Sequence, residues 1–151
     1  MPNRTLHELV LWTQDFHREM ADRLQLAAKQ TRNERSHMLL EYLAGHERQL
    51  EDLVSRFGDK ATDTALNTWV SDYEEQFHPS SHDRRDHPYA DMSTAEIMNE
   101  VQEQHRRVIA LYDHLEDFVQ ASARDLVKHV IELEEQELLR IVQSANRLED
   151  I

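Results

Sequence analysis

The 151-residue chain contains no cysteine. That absence excludes disulfides, thiolate metal sites and cysteine nucleophiles, and favours a reducing compartment. Glycine occurs twice and proline three times, too little punctuation for a β-sandwich or an α/β fold. Basic residues are outnumbered, 17 against 30 acidic, for a formal charge of −13. Such a surface repels phosphate backbones and anionic lipid, so neither nucleic acid nor membrane is expected as a partner. Long apolar runs are missing as well. No segment reads as a membrane span, and MPNRTLHELV has no apolar core of a secretion signal. Glycine-rich phosphate loops and Gly-x-Ser-x-Gly elbows are also absent, and no motif identifies a reaction. The expectation is a soluble, cytoplasmic protein.

What remains is rich in Leu, Glu, Gln, Arg and Ala, all good helix formers. Thr5-Leu6-His7-Glu8 and Ser93-Thr94-Ala95-Glu96 both fit capping boxes. Apolar residues recur at helical spacing along Leu6, Leu9, Val10, Phe16, Met20 and Leu24. They recur again along Leu39, Leu43, Leu50, Leu53, Val54 and Phe57. Two more stripes follow, Ile97–Val119 and Val127–Leu148. Gly58 suits the residue just past the end of the second helix. Ala65–Phe77 reads as a short amphipathic helix with Leu66, Trp69, Val70, Tyr73 and Phe77 on one side. The fold class is therefore all-α: one four-helix-bundle domain made from two repeated hairpins. Hairpin one spans 5–57, a crossover connection with a short helix spans 58–92, long enough to cross the bundle although up-down connectivity stays open, and hairpin two spans 93–150. Gln14–Arg18 aligns with Gln102–Arg106, and the repeat carries forward at an ungapped offset of 88.

Each long stripe carries an ionisable residue: His17, His46, His105 and Glu134. His17 and His46 are 29 residues apart, as are His105 and Glu134. Antiparallel pairing then sets both pairs near one mid-bundle level. Burying such groups unpaired costs about 2–7 kcal/mol each, more if charged, and a shared divalent cation removes that cost. Imidazole nitrogen with carboxylate oxygen suits iron, zinc, manganese or copper. Glu47 and Glu135 are the second choice of ligands or supporting groups, with Asp15, Glu103 and Tyr112 as further supports. The competing reading is a buried His–Glu network that only specifies packing. His78, His82 and His87 lie in a polar, proline-interrupted segment that reads as solvated loop.

This arrangement resembles the ferritin-like superfamily, especially its rubrerythrin-like members. The hemerythrin-like family is the rival, through one mid-helix histidine on each of the first three helices. The ferritin-like resemblance implies iron and a dinuclear site with Glu-x-x-His on helices two and four. Here those segments read Glu47-Arg48-Gln49-Leu50 and Glu135-Gln136-Glu137-Leu138, with leucine in place of each histidine. A mononuclear site or none is therefore expected. Two functions stand open: a metal-binding bundle in iron or oxidative-stress handling, and a non-enzymatic interaction module with a structural polar layer. The resemblance also implies a homodimer.

Overall fold

Thr5 and Ser93 start their helices as capping boxes. The Glu8 amide donates to Thr5 Oγ1 at 3.2 Å while the Thr5 amide donates to Glu8 at 3.3 Å. Ser93 and Glu96 repeat the exchange at 3.1 and 3.2 Å. A computed structural model describes residues 3–71, 88–117 and 119–149. Its long helices are α1 (Leu6–Gln30) and α2 (Glu34–Lys60), followed by a single turn, α3 (Asp63–Leu66). After a 3₁₀ turn at Tyr89–Asp91 come α4 (Thr94–Glu116) and α5 (Ala121–Glu149). The four long helices enclose one apolar core that includes Leu6, Phe16, Leu43, Leu50, Ile97, Tyr112 and Ile141.

Two local expectations are corrected. Gly58 does not end α2, which continues to Lys60 and is capped by the Ala61 amide on the carbonyls of Phe57 and Gly58. No described residue has a positive φ. Gly58 instead serves close approach, since a Cβ there would sit 3.2 Å from Val10 Cγ1. Of the predicted helix over Ala65–Phe77, the described part, 65–71, is helical only as far as Leu66. Trp69–Ser71 forms strand β2, antiparallel to strand β1 at Asn3–Thr5. The reason is alternation: Val70 is buried while Trp69 is exposed, a period of two that suits a strand. The Thr68 carbonyl also accepts the Leu6 amide at 2.8 Å, closing the first turn of α1. Tyr73, Phe77, His78, His82 and His87 lie outside the described residues.

The crossover follows from where these pieces sit. β2 pairs beside the start of α1. The 3₁₀ turn lies at its other end, where Tyr89 donates to Met20 Sδ and borders Ala27 and Gln30. Ser93 shares a cavity with Gln30, Thr31 and Asn33 of the α1–α2 turn. Hence α2 and α4 start at one end, α1 and α5 at the other. Ser71 and Pro88 therefore stand towards opposite ends of α1.

Buried positions of the two hairpins match with one shift. Leu9, Val10, Thr13, Phe16, His17 and Met20 correspond to buried residues 88 positions later, Ile97, Met98, Val101, Gln104, His105 and Val108. For the second helices the ungapped offset is corrected to 87. All eight buried residues of α2, from Ser36 to Val54, have buried counterparts 87 positions later, from Ala123 to Ile141. Glu47 thus corresponds to Glu134, and Leu50 to Glu137.

Gly45 is exposed in the middle of α2, and a Cβ there would meet nothing within 4 Å. Gly45→Ala should stabilise the fold by about 0.5–1 kcal/mol through helix propensity alone. Urea denaturation would show it as a raised midpoint with an unchanged slope.

Candidate metal centre

Four side chains, one from each long helix, meet in the bundle core. His17 comes from α1, Glu47 from α2, His105 from α4 and Glu134 from α5, and all four are 0% exposed. They form a closed ring. His17 Nδ1 lies 2.8 Å from Glu47 Oε1, and His17 Nε2 lies 2.6 Å from Glu134 Oε1. His105 Nε2 lies 2.6 Å from Glu47 Oε2, and His105 Nδ1 lies 3.2 Å from Glu134 Oε2. Each carboxylate oxygen accepts from one imidazole nitrogen. The two imidazoles lie roughly face to face, with centroids 5.5 Å apart.

Saturation of the ring requires a proton on all four nitrogens. Electrostatics agree with this count. Burial alone would push both histidines down, but the carboxylates beside them outweigh it. Glu134 leads for His17, which is raised to about 9. Glu47 leads for His105, which is raised to about 10. Burial alone would push both glutamates up, but the imidazolium charges hold each at about 2; His105 leads for Glu47 and His17 for Glu134. Metal-free, the ring is two cations and two anions with no net charge. That is how four titratable groups tolerate complete burial.

The surroundings are mostly apolar. Phe16 packs edge-on against His17, with centroids 5.2 Å apart. One turn from His17, Thr13 Oγ1 donates to the Leu9 carbonyl at 2.8 Å and lies 2.7 Å from the Tyr112 hydroxyl. Tyr112 therefore supports α1 against α4.

Of the four residues expected to converge, the structure brings together His17, His105 and Glu134. His46 does not join them. It points towards α5, where its Nδ1 lies 3.1 Å from Glu137 Oε2 and its ring packs 4.5 Å from Tyr42. Its place is taken by Glu47. The physical reason is rotation: a one-residue step changes height by about 1.5 Å but direction by about 100°. Matching heights could not distinguish His46 from Glu47, and facing did. Glu135, Asp15 and Glu103 are exposed; Asp15 and Glu103 lie near Arg18 and Arg107 on their own helices. Glu137, not singled out from the sequence, is buried and holds both His46 and Arg140, the latter at 2.8 Å. Its signal was present as Glu134-x-x-Glu137 within the stripe from Ile131 to Ile141.

No protein-family model matches this chain, and no curated protein matches it. A solved structure does. It is a Thermotoga maritima protein provisionally described as a ferritin-like diiron-carboxylate protein. The match covers 97% of both chains with a TM-score of 0.61 and 16% identity. The fold is that of the ferritin-like bundles. The single long crossover agrees, since hemerythrin relatives run up-down-up-down.

The ferritin-like fold is associated with a dinuclear centre built from four glutamates and two histidines. The residues here do not fit it. In the corrected register Leu50 and Glu137 stand where the two Glu-x-x-His histidines would be, and His17 and His105 replace the glutamates of the first and third helices. The donor set does fit one divalent ion. His17, Glu47 and His105 each offer a ligand atom within 4.8 Å of the others, and Glu134 adjoins both histidines. Among the described residues these form a possible His/Glu metal site in the core of a helical bundle.

Proposed function

We propose that this protein binds a single divalent metal ion in the core of a ferritin-like bundle, through His17, Glu47, His105 and Glu134. The observation that carries this reading is one ligand-type side chain from each helix, all fully buried at one level. Two neutral imidazoles and two carboxylates suit iron or zinc, and a bound ion would act as a Lewis acid or, if iron, as a redox centre. Iron is the first metal to test, because the similar Thermotoga protein is described as diiron-carboxylate. A role in iron or oxidative-stress handling follows from that choice. The chain's own residues fix the site's character: the ring excludes water, and Phe16 and the surrounding core hold its dielectric low.

The reading extends to a cytoplasmic protein without nucleic-acid or membrane partners, supported by the charge of −13 and the lack of any described helix able to cross a membrane. Homodimerisation belongs to it by fold analogy, and sedimentation analysis checks it. A single hairpin unit used twice is supported by the matched burial of the two halves.

Metal exchange has a defined charge balance. One divalent ion replaces two imidazolium protons, and the buried site stays neutral. Titration of metal-free protein with Fe(II) or Zn(II) should therefore show one ion per chain and release of close to two protons, read by calorimetry in buffers of different ionisation enthalpy. Metal content near zero after reconstitution would overturn the proposal and leave the ring as a packing device.

A further inference from the structure

The two hairpins match in burial but not in chemistry. The offset of 88 sets Trp12 against Glu100 and Phe16 against Gln104. On α1 the pair is aromatic: Trp12 and Phe16 stack at 5.8 Å, and Phe16 seals one side of His17. On α4 the pair is polar: Gln104 Nε2 donates to Glu100 Oε1 at 2.9 Å. Gln104 is only 1% exposed, and its Oε1 is the one buried side-chain oxygen or nitrogen without a partner among the described residues. A buried amide oxygen left unpaired is costly, and Phe16 shows that an apolar side chain suits the equivalent position. Glu100 is only half-buried and reaches the boundary with solvent.

Resting on the metal-site reading, we propose that Glu100 and Gln104 form the access route by which a hydrated divalent cation reaches the ring. Every ring member is completely buried, so an ion must shed its water on the way in. Carboxylate and amide oxygens are the donors that replace water around such cations. Glu100 draws the cation to the boundary. The spare oxygen of Gln104, next to His105 in the chain, takes over part of its hydration shell. The buried carboxylate one turn from Glu134 is closed to cations, because Glu137 already has one oxygen on His46 and the other on Arg140.

The test is stopped-flow loading of metal-free protein with Co(II), followed by its absorption, and removal by a chelator. Glu100→Gln combined with Gln104→Leu should slow loading and release alike by about tenfold or more, leaving the dissociation constant unchanged. Trp12→Leu, on the aromatic side, should leave both rates near wild type. Gln104→Leu alone should raise the melting temperature, which confirms that the variant folds. Unchanged rates in the double variant overturn the access route while the metal site stands. A weakened dissociation constant with normal loading also overturns it, by making Gln104 a ligand. Wild-type protein that takes up no Co(II) overturns the metal site, and the access route with it.

Discussion

Glu47→Ala should destabilise the metal-free protein by about 3–5 kcal/mol, measured by urea or thermal unfolding. The carboxylate bridges both histidines, at 2.8 and 2.6 Å, with no exposure on any partner. Its loss leaves imidazole nitrogens in the core without acceptors and Glu134 as the single balancing charge. The contrast with complete removal carries the argument. Replacing His17, Glu47, His105 and Glu134 all by leucine should leave stability unchanged or raise it by about 1–4 kcal/mol, because no buried charge then needs compensation. That quadruple variant should fold and bind no metal. A loss below about 1 kcal/mol for Glu47→Ala would show that the ring admits water.

The second large effect is a stability plateau bounded on both sides by the same four residues. Glu47 and Glu134 are held at about 2, below their ordinary value of 4.5. Their contribution is present above pH 4.5 and is lost as pH falls towards 2. His17 and His105 are raised from 6.5 to about 9 and about 10. Their contribution is complete below pH 6.5 and is lost as pH rises through 9 to 10. Metal-free protein should therefore be most stable between about pH 4.5 and 6.5, with losses on the order of several kcal/mol beyond either side. Denaturant midpoints across pH 3–10 check this, and the quadruple leucine variant should show a much flatter profile. A wild-type profile as flat as that of the variant would sink the charged-ring assignment.

His46 and Glu47 show how far the chain could be read without its structure. Both lie near the mid-bundle level, and both are plausible ligands. The stripe Leu39, Leu43, His46, Leu50 follows helical spacing as well as Leu40, Leu43, Glu47, Leu50 does. The bundle buries the second set completely, with Leu40, Leu43, Glu47 and Leu50 all at 0% exposure, while His46 stays partly exposed. Paired with two imidazolium ions, the glutamate is the group that balances the charge. The ungapped offset of 88 failed for the same reason: the second hairpin is one residue shorter between its ring members, a difference visible only as facing.

Elsewhere, strand β2 replaced a predicted helical turn because Trp69–Ser71 found an edge in Asn3–Thr5. That partner lies some sixty-five residues away, beyond any local pattern. Capping boxes, helix lengths and core stripes are local properties of three to seven residues. The sequence by itself therefore determined the all-α class, the four long helices and most of their buried faces. Only the tertiary structure decided the crossover, the rotation of each helix and so the membership of the ring. Those depend on contacts between distant segments, where a rotation of one residue exchanges a ligand for its neighbour while leaving every periodicity intact.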